Sequence, residues 1–394
     1  MKLIMDNKYV MYCTGCGLCK SVLNTKFVQD EKGYPYPLLN DTDKDFCEKV
    51  CPVSGQAFSL QDDIIWGKNE CVYLSWSTDD KVRNDASSGG VLTALSCYLL
   101  DEGVVDGIIH TKVSDDSPIH TMTVVSNCAE DTKACMGSRY TVSSPLSSIL
   151  EVLDWDRKYA FVGKPCDVSA LRMYMQHNKE VKECIKYLFS FFCAGMPSIS
   201  ANQTLLSRLG CDERSCDKLM YRGNGWPGYT TTIHNDSTVQ MMTYDQSWGH
   251  ILGRDIRKSC RFCMDGIGEM ADISCGDAWF LTDDMKPNFT ENAGRNVVFT
   301  RTKEGEYLFR EAVKKGYICS KVYDNYEQEL KYSQYFQKER KETMAPMILA
   351  LKICGKTIPA YDMSKLCQFS RNVPLKLKAK RFLGTLKRIA KGKI

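Results

Sequence analysis

Between residues 71 and 322 the chain alternates short apolar runs with stretches of helical period. Residues 71–76, 104–109, 121–125, 159–163, 187–192, 296–300 and 317–322 are rich in Val, Ile, Tyr and Phe, and polar or glycine-containing breaks bound them, as strands require. Between them, residues 91–100, 129–135, 145–153, 168–177, 198–209 and 305–315 carry helical spacing, the first stopping at Gly103. Residues 229–243 alternate around Asn235-Asp236-Ser237, the pattern of an antiparallel hairpin. Residues 325–355 read as helix, rich in Tyr, Gln, Glu and Lys. These elements predict an α/β or α+β fold. Residues 63–325 form its main mixed domain, and residues 326–394 form a helical C-terminal region with a tail.

Residues 1–62 lack that texture and are organised by cysteines. Cys13-Thr-Gly-Cys16-Gly-Leu-Cys19 is followed well downstream by Cys51-Pro52. Three cysteines at C-x2-C-x2-C spacing wrap a loop around one face of a cubic cluster, and a remote Cys-Pro supplies the fourth ligand. Gly15 and Gly17 allow the tight turn that brings N–H groups to the sulfurs. Cys13, Cys16, Cys19 and Cys51 are therefore assigned to one [4Fe–4S] cluster in a ferredoxin-like module. A second cluster in this module lacks its ligands, because Leu23, Asp41 and Lys44 stand near the positions it would need. Cys47 is left without a set. Tetrahedral zinc is the alternative for four cysteines, although zinc sites usually pair two C-x2-C knuckles.

Composition sharpens this picture. The chain has 394 residues, ample for two or more domains, and an ordinary 25% of charged residues. Its 20 cysteines are unusual. The first residues, Met-Lys-Leu-Ile-Met-Asp-Asn-Lys, lack the apolar run of a signal peptide, so a cytoplasmic location is expected. Cysteine-rich and cytoplasmic points to metal or redox chemistry rather than disulfides. No apolar stretch reaches the roughly 18 residues of a membrane span.

The main domain adds further candidates. Asp85-Ala-Ser87-Ser88-Gly89-Gly90 is a polar loop feeding the helix that starts near Val91, suited to phosphate or simply capped by a serine. Two successive strands end in cysteines just before helices, at Lys164-Pro165-Cys166-Asp167 and Cys193-Ala-Gly195. Ligands of open α/β sheets gather beyond the carboxyl ends of strands, so Cys166 and Cys193 are expected at a functional edge, against the alternative of two buried structural cysteines. Cys260-Arg-Phe-Cys263 fits a redox dithiol, a zinc half-site or a cluster half-site. With Cys166 and Cys193 it makes four candidate ligands. Asp167, His177 and Asp277 are possible proton donors.

Charge is unevenly placed. From Arg371 onward there are nine Lys or Arg and no acid, whereas the chain as a whole is only +4, so the rest is net acidic. Leu375, Phe382, Leu386 and Ile389 recur at roughly helical spacing among those cations. A helix of this kind can lie on an anionic membrane surface, placing the chain peripherally at the inner face and suggesting a lipid-linked substrate, or can be a solvated terminus. Nucleic acid is not an expected partner, since the acidic body carries no matching motif.

The N-terminal cysteine motif, Ser87-Ser88-Gly89-Gly90, Gly137-Ser138-Arg139-Tyr140, Gly163-Lys164-Pro165-Cys166, Cys193-Ala-Gly195, Cys260-x2-Cys263 and Ala271-Asp-Ile-Ser-Cys275-Gly-Asp277 occur in order over roughly residues 10–300. Together they resemble the coenzyme F420 hydrogenase/dehydrogenase beta-subunit family. The resemblance implies an iron–sulfur flavoprotein oxidoreductase. Electrons from a ferredoxin-like donor would pass through two [4Fe–4S] clusters to FAD and on to coenzyme F420 or another small organic acceptor. It makes Cys166, Cys193, Cys260 and Cys263 the second cluster's set. It brings Ser87, Ser88, Gly89, Gly90, Gly137, Ser138, Arg139 and Tyr140 to the flavin. Lys164 and Ala194 stand where the family usually has Thr and His, so Lys164 is read as facing the flavin or an anionic substrate. The alternatives are an electron-transfer subunit of a larger hydrogenase or dehydrogenase complex, and a zinc-bound scaffold without redox activity.

Overall fold

The computed structural model describes residues 8–54, 65–392 and 394. The expected boundary at 62/63 and the N-terminal Met1–Asn7 lie outside the described residues. The short N-terminal pair β1 (Phe27–Gln29) and β2 (Pro35–Pro37) is antiparallel, with Gly33 in the connection between them.

The main sheet begins with β3 (Cys71–Ser77), β4 (Gly107–Ser114), β5 (Ser117–Ser126), β6 (Tyr159–Gly163) and β7 (Ile185–Phe191). A separate three-stranded sheet follows, made of β8 (Cys216–Met220), β9 (Thr230–His234) and β10 (Val239–Met242). The main sheet is completed by β11 (Ile273–Asp277), β12 (Asn296–Thr300) and β13 (Ile318–Val322). Its eight strands run in the order β13-β3-β12-β11-β7-β6-β4-β5, so the fold is mixed α/β. The centre, β11-β7-β6-β4, is parallel, and the pairs outside it are antiparallel.

Why the sheet is covered on both faces follows from the period of two along its strands. Ile109, Phe161 and Leu188 point into a core with Val168, Leu171 and Met175 of the helix Pro165–His177. Their neighbours Ile108, Ala160 and Phe189 point the other way, against Val91, Leu95 and Leu99 of the helix Val91–Asp101 and Phe309 of the helix Lys303–Lys314. The apolar runs are continuous rather than alternating because both faces are buried.

Several expectations change. The helix read over 145–153 shrinks to Ile149–Val152. The preceding residues serve as a dock: Leu146 N–H donates to Cys16 O at 2.9 Å, and a Cβ on Gly17 would meet Ser147 N at 2.6 Å. Gly17 also has φ of 92°, a conformation only glycine adopts freely. Strand β8 and the helices Lys179–Cys184 and Met363–Phe369 are additions that their short patterns concealed. The C-terminal region is helical: Tyr326–Ser333, Tyr335–Glu342, Met344–Ile353, Met363–Phe369 and Leu375–Ala390. The tail helix turns much of its apolar side inward. Thr385 is buried and Ile389 packs into the cluster that also holds Cys47, Ile348 and Phe369, whereas Leu375 and Leu383 stay exposed. Among the described residues no helix is long and apolar enough to cross a membrane.

Candidate functional site

Two groups of thiols and one large cavity occupy one edge of the molecule. The first group lies in the N-terminal module. Gly15, with φ of 78°, presents its N–H to Cys13 Sγ at 3.3 Å, as the glycine spacing predicts. Cys16, Cys19, Cys47 and Cys51 feel one another's charge and that of Cys13. Burial pushes the Cys16 and Cys47 thiols up to about 12, and those of Cys19 and Cys51 upward as well. Cys47, left without a set by spacing, is therefore the fifth thiol beside Cys13, Cys16, Cys19 and Cys51. Its position at the buried side of the helix Lys44–Val50 puts it one turn before Cys51.

The second group is assembled from distant segments. Cys166 follows β6 and Cys193 follows β7, two adjacent parallel strands. Ser190 Oγ of β7 donates to Gly163 O of β6 at 3.0 Å, which holds the two strand ends together. Cys260 and Cys263 approach from the loop before β11; Met196 N–H donates to Cys260 Sγ at 3.3 Å. Burial is the largest influence on Cys193 and Cys263, holding them at about 11 and about 12, and the neighbouring sulfurs add to it. Cys166 is raised by the same causes, with Asp167 next after burial.

As a donor set, each group fits a soft, thiolate-preferring metal centre. Thiolates are soft ligands, and the buried Cys16, Cys19, Cys51, Cys166, Cys193 and Cys263 are held protonated by burial, so binding a metal would displace their protons. Cys13, Cys16, Cys19 and Cys51 would hold one such group, and Cys166, Cys193, Cys260 and Cys263 the other. Coordination geometry itself is absent among the described residues.

Residues that spacing could not reveal tie the groups together. Arg257 is fully buried and donates from Nε to Cys13 O and from a terminal nitrogen to Pro35 O, both at 2.6 Å, over the rings of Tyr34 and Tyr36. Ser259 Oγ adds a bond to Cys13 O at 2.9 Å. From the C-terminal region, Gln337 donates to Cys193 O at 3.2 Å and Arg340 to Ala194 O at 3.1 Å. Isolated polar residues in helices carry no motif, so only packing identifies them.

The cavity, of about 340 Å³, opens beyond the carboxyl ends of β6, β7 and β11. Its wall includes Ser87, Ser88, Gly90, Gly137, Ser138, Arg139, Tyr140 and Lys164, and also Cys193, Cys275 and Asp277. Ser138 N–H donates to Ser87 Oγ at 2.6 Å, so the two loops meet directly. The helix Val91–Asp101 has no side-chain cap, because Gly90 takes the N-cap position at φ of 74°. That removes the serine-cap alternative, and the Val91 N–H donates instead to Asn296 Oδ1 at 3.3 Å, on the cavity's wall. Arg139 lies on the same wall with, among the described residues, no carboxylate in contact. Arg139 keeps one buried nitrogen, Nε, without a partner while another of its nitrogens donates to Ser138 O at 3.0 Å, and a buried cation of this kind suits an anionic group such as a phosphate.

Gly89 and His177 stand apart from the cavity, and Lys164 lies on its wall. Gly89 does not line the cavity; it packs against the sheet, where a Cβ would meet Asn296 Oδ1 at 2.8 Å. Lys164 reaches the wall, but its Nζ is tied to Asp167 Oδ2 and to Ser143 Oγ, each at 2.7 Å. Burial opposes that charge, and the Asp167 carboxylate holds the lysine above its ordinary pKa. His177 is exposed at the far end of its helix, away from the cavity. Asp277 lines the cavity but is held bidentately by Arg222 at 3.0 Å and by Trp226 Nε1 at 2.8 Å. A buried histidine escaped the motif reading: His110 of β4 lines the cavity, pairs with Ser126 Oγ at 2.8 Å, and is held by burial down to about 4.

A mixed α/β sheet with a cavity of about 340 Å³ at its carboxyl edge and two groups of thiols near it defines the candidate site. Models of the N-terminal and C-terminal parts of the coenzyme F420 hydrogenase/dehydrogenase beta subunit match residues 72–151 and 156–325, so the chain belongs to that family. The coenzyme F420 hydrogenase subunit beta of Methanothermobacter thermautotrophicus is 24% identical over 75% of this chain and 100% of its own length. The F420-dependent formate dehydrogenase 1 subunit beta of Methanococcus maripaludis is 26% identical over 64% of this chain and 62% of that subunit. A chain of the F420-reducing [NiFe] hydrogenase complex from Methanosarcina barkeri shares the fold. Its TM-score is 0.60 and its identity 23%, over 75% of this chain and 98% of that one.

Proposed function

We propose that the chain is an iron–sulfur flavoprotein oxidoreductase unit. Residues 1–62 form a ferredoxin-like entry module, residues 63–325 a flavin-binding domain, and residues 326–394 a helical cover. In this reading Cys13, Cys16, Cys19 and Cys51 hold one [4Fe–4S] cluster, and Cys166, Cys193, Cys260 and Cys263 hold another. FAD occupies the cavity, its phosphates against Arg139, Ser87, Ser88 and the start of the helix at Val91. Bound there, the clusters carry single electrons and the flavin exchanges them for pairs.

The observation that carries the reading is continuity. A small cavity lined by Pro52, Val53, Cys166 and Cys263 lies between the two thiol groups, and Cys193 belongs to the inner group while lining the large cavity. The groups therefore succeed one another from the N-terminal module to the cavity. Gly15, Leu18, Val53 and Gly195 turn their N–H groups toward sulfurs, an arrangement that stabilises added electrons. Arg222 and Trp226 fix Asp277, and Asp167 with Ser143 fixes Lys164, so the wall keeps its charges in place.

The electron acceptor is coenzyme F420 or another organic molecule entering the same cavity. The relatives, subunits of hydrogenases and formate dehydrogenases, favour a second reading in which the chain relays electrons for a partner redox subunit. Anaerobic purification with iron, sulfide and flavin analysis tests both. About eight irons and one FAD per chain support them. A colourless protein with stoichiometric zinc overturns both in favour of the scaffold.

A further inference from the structure

The tail helix Leu375–Ala390 presents one stripe to solvent: Lys376, Lys380, Leu383 and Lys387, at i, i+4, i+7 and i+11, all exposed. Its opposite side rests on the helix Met344–Ile353, and Ile389 packs into the apolar cluster that contains Cys47 and borders Cys19 and Cys51. The helix that carries the cationic stripe is thus anchored, through Ile389, in the same apolar cluster as the first thiol group. Other cations gather there without counter-charges. Arg388 lies within electrostatic reach of Arg261 and Arg381, and Lys258 within reach of Lys356. Only Arg381 among these five has an acidic partner, Glu339 at 3.0 Å. The rest of the chain is net acidic, and the family models end at residue 325. A concentrated positive face has been added where electrons are proposed to enter.

We infer that this face, Lys376, Lys380 and Lys387 with the neighbouring Arg388 and Lys258, docks a small acidic one-electron carrier of the ferredoxin type. The inference rests on the proposed function. At each encounter the carrier is oxidised by one electron, the group at Cys13, Cys16, Cys19 and Cys51 is reduced by one, and no proton or bond is exchanged. Charge complementarity favours a protein over a membrane. The outward stripe holds a single leucine, and Leu375 stands alone at the helix start, too little apolar surface for the helix to embed in lipid. Opposite charge steers such encounters and fades with salt over the Debye length.

The test measures binding of a purified acidic bacterial ferredoxin to the full chain, and separately of vesicles of phosphatidylglycerol with phosphatidylcholine. Ferredoxin should bind at low ionic strength and release with added salt. The triple variant K376E/K380E/K387E should weaken binding at least about tenfold, and K376Q/K380Q/K387Q by less. Circular dichroism and iron content check that both variants remain folded, as exposed side chains should allow. Ferredoxin that does not bind, or binds both variants like the wild type, overturns the inference. So does vesicle binding that the variants lose, without ferredoxin binding. Iron and flavin content is read independently: a fully loaded protein that fails to bind ferredoxin sinks the docking surface alone, and a protein without iron sinks the function on which it rests.

Discussion

The two thiol groups reach similar chemistry by opposite routes. The N-terminal one is local: Cys13, Cys16 and Cys19 lie on one loop whose left-handed Gly15 and Gly17 set the turn, and Cys51 ends the helix Lys44–Val50. The inner one is topological. Cys166 and Cys193 meet only because β6 and β7 are parallel neighbours, and Cys260 and Cys263 arrive from a loop that Arg257 and Ser259 pin to Cys13 O. The local site takes its ligand loop from spacing, although Arg257, Ser259 and Leu146 still dock that loop to the main domain. A topological site inherits its geometry from the whole sheet, and losses at it should spread to the cavity.

Cysteine replacements test this contrast most severely. Cys16→Ser should remove about half the iron and leave flavin content unchanged, whereas Cys193→Ser should remove about half the iron and lower flavin content too, because Cys193 also lines the cavity. Equal flavin retention in both variants would erase the distinction. Next in size is Arg257→Ala, which strips donors from Cys13 O and Pro35 O and leaves a buried void. A loss of about 3 kcal/mol in urea unfolding is expected. The exposed Arg254→Ala should change stability by no more than about 0.5 kcal/mol.

A smaller effect concerns pH. His110 is buried neutral with a pKa of about 4 against an ordinary 6.5, so the unfolded chain binds the extra proton between those values. Its contribution to stability is complete above pH 6.5 and is lost as pH falls toward 4, by about 2 kcal/mol between pH 6.5 and pH 5. His110→Asn should flatten that part of the pH–Tm profile. The smallest expected change is in potential. Arg340 lies near Cys193 and Cys263, and Arg340→Met should make the inner group harder to reduce by on the order of tens of millivolts, with the N-terminal group unmoved in a spectroelectrochemical titration.

The same contrast sets what the sequence revealed. Strands β3, β6, β7 and β12 were legible because continuous apolar runs in this fold are buried on both faces. The loops at Ser87 and Gly137 were legible through glycines and resemblance, and the structure brings both to one cavity. Arg257, Gln337, Arg340 and His110 were not, since each is a single polar residue whose partner lies far away in the chain. The partner of Lys164 was hidden for a related reason: Asp167 stood three positions on, yet only packing shows that it pairs with the ammonium on the cavity wall. The tail's apolar spacing pointed to a membrane-facing side, and the helix spends most of it on the protein's own core.

The bond from Arg257 to Cys13 O spans 244 positions of sequence. During synthesis at about 5–20 residues per second, the first cysteine loop leaves the ribosome roughly 12–50 s before the arginine that anchors it exists. For that interval the thiols at Cys13, Cys16 and Cys19 have their turn but not their dock, and are open to oxidants or to the wrong metal. The order of translation thus makes the local site the first to be formed and the last to be sealed.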